Sequence, residues 1–213
     1  NMAMEKIPHL MDAILDDLVD RGYAIIPSFL PHAVSDPLYQ EANQIASPHW
    51  QTAAIGRAQS HAINTMVRND RIIWLDDNSA YGAPFLGVME QLRLAVNRSL
   101  FMGLFDYECH LAHYPKGAFY KKHLDAFKGK SNRKLTTVLY LNPEWNESDG
   151  GELVIYGKRG EVLEKVLPKR GTLVVFLSDQ FVHEVLPSQR DRFSLTGWFR
   201  LNASISGIID PPR

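Results

Sequence analysis

At 213 residues, 45% hydrophobic and 22% charged, the chain has ordinary globular composition, with apolar content enough for a sizeable core and against disorder. A formal net charge of −1 gives no reason to expect nucleic acid or an anionic membrane as partner, and no apolar run is long enough to span a bilayer. The single cysteine, Cys109, excludes an intrachain disulfide and points to a reducing, cytoplasmic compartment.

Asn1 before Met2 reads as a tag residue. Glu5, Asp12, Asp16 and Asp17 interrupt the stretch where an export signal needs an apolar segment, so export is not expected. Ile7, Leu10, Met11, Ile14, Leu15, Leu18 and Val19 recur at threes and fours, which predicts an amphipathic helix over 5–21, ended by Gly22. Tyr23 to Ile26 reads as a short buried strand before Pro27. A second helix is predicted over 32–46, with Pro37 marking its real first turn. Residues 47–70 are polar and weakly periodic and read as an irregular segment with one short strand; so long a loop in a compact domain is often functional. Arg71 to Leu75 reads as a strand and Asp76 to Ser79 as a turn capping a helix over 84–102.

From Tyr107 the pattern changes to strands, over 108–114, 134–141, 151–156, 162–166, 171–177, 183–185 and 193–201, parted by turn-rich pieces such as Asn142-Pro143. About seven short strands without intervening helices imply a β-sandwich or jelly roll. The order is helices first and double sheet second, in one α+β domain over 2–213. Its helical N-terminal support runs to about residue 106 and its β core over 107–201.

Two stretches of the β region carry chemistry, KKHLDAF and FVHEVLPSQRDRFSLTGW. His123 and Asp125, two residues apart, would face the same way on one strand, with His183 brought from a distant one. Two imidazoles and a carboxylate hold a non-haem ferrous ion on one face and leave its other positions open. H-x-D alone is weak, and a lone His is most often a surface or hydrogen-bonded residue, so only the combined set carries weight. Arg192 is a lone cation in an apolar strand; it suits a carboxylate-bearing co-substrate, against the bland reading of an outward-facing residue on an edge strand. Tyr140 and Tyr114 read equally well as core aromatics. Gly150-Gly151 reads as a tight turn or bulge requiring no chemistry. Lys121-Lys122 reads as a solvated face that could help attract an anion, and His61, His110 and His113 as structural.

The segments HYPKGAFYKKHLDAF, TTVLYLNPEW, SDGGELVIY, GTLVVFLSDQFVHEVLP and RFSLTGWF resemble the prolyl 4-hydroxylase branch of the iron(II)/2-oxoglutarate dioxygenases, above all the hypoxia-inducible-factor prolyl hydroxylases and their bacterial counterparts. The likeness runs from about Cys109 to Arg200, with RNDRIIWLD upstream. It implies a double-stranded β-helix, a distorted jelly roll with N-terminal helices packed against the major sheet. It implies Fe(II) on His123, Asp125 and His183, with 2-oxoglutarate and O2 as co-substrates. The C5 carboxylate of 2-oxoglutarate would lie on Arg192 and Tyr140, with Tyr114 nearby and Trp198 as a wall of the substrate pocket. The interval from Tyr114 to His123 is one residue shorter than in the hypoxia-factor enzymes, which puts Tyr114 in doubt. The implied substrate is a prolyl residue in a cytoplasmic protein or peptide, elongation factor Tu being the example set by bacterial relatives, and succinate and CO2 are co-products. Residues 47–71 stand where those enzymes carry a mobile loop over the peptide. Ascorbate as an accessory reductant is left open. Three alternatives also stay open: the same chemistry on a free amino acid or other small molecule, a non-catalytic metal-binding β-helix module, and a cupin-type sandwich that leaves Arg192 unexplained.

Overall fold

The computed structural model describes residues 4–45, 49–53, 66–76 and 79–202. Three helices come early: α1 (Ile7–Arg21), α2 (His32–Gln44) and α3 (Gly82–Leu100). Three short strands lie between them: β1 (Tyr23–Ile26), β2 (Gln51–Thr52) and β3 (Arg71–Trp74). Eight strands follow: β4 (Asp106–Tyr114), β5 (Tyr120–His123), β6 (Arg133–Tyr140), β7 (Leu153–Tyr156), β8 (Val162–Val166), β9 (Leu173–Leu177), β10 (His183–Val185) and β11 (Arg192–Arg200). A seven-stranded sheet runs β1-β9-β6-β11-β4-β3-β2, and a four-stranded one β5-β10-β7-β8. All the strand pairs are antiparallel.

The large sheet is apolar on both faces, and the two-residue period of its strands decides what each face meets. Leu111, Leu135, Leu139, Leu173, Val175, Phe193, Leu195 and Phe199 point to one side, where they form a single core with Ile7, Met11 and Ile14 of α1 and Phe85, Met89 and Leu92 of α3. Their alternates Ala112, Tyr114, Val138, Tyr140, Val174 and Phe176 point to the other, against Leu153, Ile155 and Val185 of the small sheet. The helices thus close the outside of the large sheet, and the space between the sheets is left for the site. Gly197 belongs to the helix side, where a Cβ would collide with the Tyr107 hydroxyl. Its hydrogen lets Tyr107 cross the strand and pack on Phe199, ring centroids 4.5 Å apart.

The jelly-roll reading with helices against the major sheet is what the structure has. The differences are local. β5 is a further strand, missed because Tyr-Lys-Lys-His has neither apolar alternation nor β-branched residues. Pro37 lies inside α2, whose N-cap is Pro31, so the helix starts a turn earlier than the proline suggested. Ser35 closes that first turn with its N–H on the Pro31 carbonyl, 3.2 Å. α3 begins at Gly82, its N–H held by the Ser79 hydroxyl at 3.1 Å. The chain before residue 106 is not only helical, since it supplies β1, β2 and β3 to the large sheet. Most of the loop expected over 47–70, and His61 with it, lies outside the described residues.

Candidate metal and co-substrate site

His123 ends β5 and His183 opens β10, and the two stand directly opposite each other in the ladder. Asp125 was expected on the same strand as His123; it lies in the bend beyond it, because β5 stops at His123. The three still converge, each offering a ligand atom within 4.8 Å of the others. Asp125 Oδ1 is 3.4 Å from His123 Nε2 and 3.2 Å from His183 Nε2. Neighbouring ligands on an octahedral ion stand about 3 Å apart when each bond is about 2.1 Å, so the set fits one divalent ion.

Backbone carbonyls fix the imidazole tautomers. His123 Nδ1 lies 2.7 Å from the Lys121 carbonyl and His183 Nδ1 2.9 Å from that of Phe181. A carbonyl can only accept, so Nδ1 carries the proton and the Nε2 lone pair faces Asp125, which is how a metal-ligating His is ordinarily oriented. Burial opposes charge on all three groups. It prevails at His123, reinforced by the neighbouring His183, and lowers that ring below its ordinary value. At His183 burial is outweighed by Asp125, which raises the ring. At Asp125 the burial penalty is overcome by the two facing imidazoles, which hold the carboxyl well below the usual carboxylate range. Asp125 is thereby held anionic between the two imidazoles.

The other oxygen of Asp125 is held from the large sheet. Thr136 Oγ1 on β6 donates to Oδ2 at 2.8 Å, and Trp198 Nε1 on β11 donates to the same atom at 3.1 Å. These two residues are partners in the β6–β11 ladder, so the sheet register aims both donors at one point. Ser178 Oγ lies 2.9 Å from Thr136 Oγ1 and supplies it with a proton in turn. Nothing in a lone Thr or Ser marks it for this role, and sequence reading passed over both. Trp198, expected as a pocket wall, spends its indole N–H on the carboxylate.

Arg192 opens β11 on the face that looks toward the small sheet and is only 2% exposed. Its guanidinium carbon is 5.0 Å from the ring centres of both Tyr114 and Tyr140. Tyr114 is its ladder partner on β4 and Tyr140 lies diagonally across on β6. Nε donates to the Gly151 carbonyl at 2.8 Å. Gly150-Gly151 therefore does carry part of the site. Gly151 has φ +71°, and a Cβ there would crowd Ser188, Trp145 and Arg192 Cδ at 3.0–3.2 Å. Asn142 pins the next residue, its Oδ1 accepting from Phe193 N at 2.8 Å and its Nδ2 donating to Phe193 O at 3.0 Å. Arg192 Nη2 and the Tyr140 hydroxyl remain buried with no hydrogen-bond partner among the described residues. A buried cation with a free N–H beside a free phenol is costly alone and is matched by a carboxylate accepting from both. His113 stacks on Phe193 on the helix side of the sheet, and His110 lies edge-on to Trp74 and Trp198.

The model of the 2OG-Fe(II) oxygenase superfamily matches residues 109–200, which span the ligand set and Arg192. A crystal structure of a Pseudomonas putida prolyl-4-hydroxylase is 40% identical and superposes with a TM-score of 0.82, over 90% of this chain and 99% of that one. The chain belongs to the 2-oxoglutarate/iron(II) oxygenase superfamily, in its prolyl hydroxylase branch. A prolyl hydroxylase from Trichoplax adhaerens, in complex with a peptide of the hypoxia-inducible-factor oxygen degradation domain, is 27% identical with a TM-score of 0.82, covering 94% of this chain and 93% of its own. The hypoxia-inducible factor prolyl hydroxylase of Caenorhabditis elegans is 28% identical over 91% of this chain, which spans 28% of the length of that larger protein. Membership in the superfamily implies Fe(II), 2-oxoglutarate and O2, and the His-Asp-His set is present for the metal.

Proposed function

We propose that the chain is an Fe(II)- and 2-oxoglutarate-dependent dioxygenase that hydroxylates a prolyl residue of a cytoplasmic protein, with succinate and CO2 as co-products. The observation that carries this is the pair of unpartnered buried groups, Arg192 Nη2 and the Tyr140 hydroxyl, on the sheet that faces the metal-ligand set. Any divalent-metal site needs the triad; the added buried cation suits a dicarboxylate with one end on the metal.

On this reading His123, Asp125 and His183 hold the iron, which when bound supplies the oxidation that the protein's side chains cannot. Oδ1 of Asp125 faces the ion while Thr136 and Trp198 hold Oδ2. Arg192 and Tyr140 take the distal carboxylate of 2-oxoglutarate, and Tyr114 closes that pocket beside them. Gly151 and Asn142 fix the guanidinium so that its remaining N–H groups meet the co-substrate without rearranging. Burial of the pocket keeps water off both charges. Trp198 bounds the substrate side of the metal as well as orienting Asp125.

Similarity to proteins named as prolyl hydroxylases, one bound to a peptide, supports a protein proline as the target over a small metabolite. Elongation factor Tu is the first substrate to try, with ascorbate present and omitted. Mass spectrometry after incubation with Fe(II) and 2-oxoglutarate should find a proline heavier by one oxygen. Turnover of a free amino acid with no modified proline in any candidate protein would reverse the substrate assignment.

A further inference from the structure

The rim of the site bears on which polypeptides it takes. Between Lys121 and Lys134 the chain places six of its 23 Lys and Arg residues against one of its 24 Asp and Glu, namely Asp125. The rest of the chain is therefore net acidic. The Asp125 side chain is only 8% exposed and engaged by His123, His183, Thr136 and Trp198, so it does not offset the cations around it. Lys121, Lys122, Lys128 and Lys130 are exposed. The ion pairs formed among the described residues leave all four out, whereas Arg133 pairs with Glu108 at 3.3 Å.

This stretch is tied to the mouth of the site. Trp198 holds both ends of the connection between β5 and β6: its indole N–H goes to Asp125, and the Arg133 guanidinium lies 3.7 Å from its ring centre. Between those anchors the Lys130 N–H closes a turn on the Phe127 carbonyl at 3.0 Å, and the Phe127 ring is 65% exposed at the tip. On the other flank, β5 leads through Lys121 directly into His123. Lys122 points elsewhere, 4.3 Å over the ring of Tyr156, whose hydroxyl bonds Glu184. Lys121 thus stands two residues before His123 on β5, and Lys128 and Lys130 stand three and five residues beyond Asp125.

We propose that this rim selects a polypeptide whose target proline is flanked by Asp or Glu, with Phe127 as an apolar contact beside the charges. The proline itself rests on the hydroxylase reading; the acidic flank rests on the rim. A cationic rim facing an anionic segment raises encounter rate and specificity more than it deepens a contact, so its mark is salt dependence. A net charge of −1 and a basic cluster of only six residues favour an acidic peptide over a nucleic acid backbone.

The test uses fluorescently labelled peptides that differ only in Asp/Glu against Asn/Gln around one proline, with binding followed by polarisation to the full chain at ~50 and ~300 mM salt. The acidic peptide should bind about tenfold tighter at low salt, and the K121Q/K128Q/K130Q variant should lose that advantage. Lys6→Gln, an exposed lysine on the helix side, should keep it, and 2-oxoglutarate decarboxylation without peptide should be unchanged in a K128Q/K130Q variant. Equal binding of the two peptides, or a single-stranded oligonucleotide of equal charge binding more tightly than the acidic peptide, overturns the proposal. Because binding is read without turnover, an inactive wild-type chain that still discriminates between the peptides would sink the hydroxylase reading and leave the rim standing.

Discussion

On the proposed reading, Arg192 trades stability for co-substrate binding. Its charge is buried with one hydrogen bond to Gly151 and two aromatic rings for company. Arg192→Met should therefore raise the melting temperature of the chain without co-substrate, since an incompletely paired buried cation costs several kcal/mol and an apolar isostere does not. The same variant should lose the melting shift that 2-oxoglutarate gives the wild type and require about a hundredfold more of it for turnover. Thermal scans with and without 2-oxoglutarate separate the two effects. Asp125 gives a second residue-scale test. Thr136→Val and Trp198→Phe each remove one donor from Oδ2, and loss of such support typically costs tenfold or more in metal affinity. Titration with a spectroscopically visible divalent ion measures it, and unaltered affinity in both variants would show that the donors do not orient the carboxylate. His110 sets a pH dependence. Burial, with Arg68 and Arg133 nearby, lowers its ring to about 3, against an ordinary value of 6.5. The unfolded chain binds this proton at a higher pH than the folded one, so stability is complete above about 6.5 and falls as pH drops toward 3. At pH 5 the loss is about 2 kcal/mol, and His110→Gln should flatten that part of the stability curve.

At the scale of elements, the metal ligands depend on an edge. β5 is four polar residues at the margin of the small sheet, and residues 67–69 cover its free side. Lys121 N–H reaches the Val67 carbonyl at 2.8 Å, and Asn69 N–H that of Phe119 at 3.2 Å. Arg68 meets buried Asp70 in a two-bond fork at 2.8 and 2.7 Å and lies 3.9 Å over the Tyr120 ring, which stacks on His123. Breaking this pair with Asp70→Ala should cost about 3 kcal/mol and weaken metal binding as β5 loosens. Denaturant unfolding and metal titration check the two parts. β5 was also the strand least legible in the sequence, because its pairing is decided by neighbours on both sides and its own residues are polar. By contrast β6, β9 and β11 announced themselves as runs of apolar, β-branched and aromatic residues, since each is buried against the helices on one face and the small sheet on the other. His123, His183 and Arg192 stood out in the sequence as candidates because few residue types can bind a metal or clamp a carboxylate. Thr136, Ser178, Asn142 and the Gly151 carbonyl were not, because a hydroxyl, an amide or a backbone oxygen has a hundred ordinary uses and gains a function only from register.

Across the whole molecule, the large sheet acts as a plate with helices bolted to one side and the site to the other. Substitutions on the helix face should therefore change stability before they change the chemistry. Gly197→Ala forces a methyl into Tyr107 and should cost about 1–3 kcal/mol, with little effect on the 2-oxoglutarate requirement. Gly151→Ala acts on the other face, where a strained φ and contact with Arg192 Cδ should raise that requirement as well. The small sheet brings His123 and His183 together, and the large sheet supplies Arg192, Tyr140 and the two donors to Asp125. Activity thus depends on how the two sheets meet. The most direct test follows 2-oxoglutarate decarboxylation and prolyl hydroxylation in one reaction for the wild type, His123→Ala and Asp125→Ala. The account predicts matched yields of succinate and hydroxylated proline in the wild type and loss of both in each variant; full 2-oxoglutarate-dependent turnover surviving in either variant would contradict it.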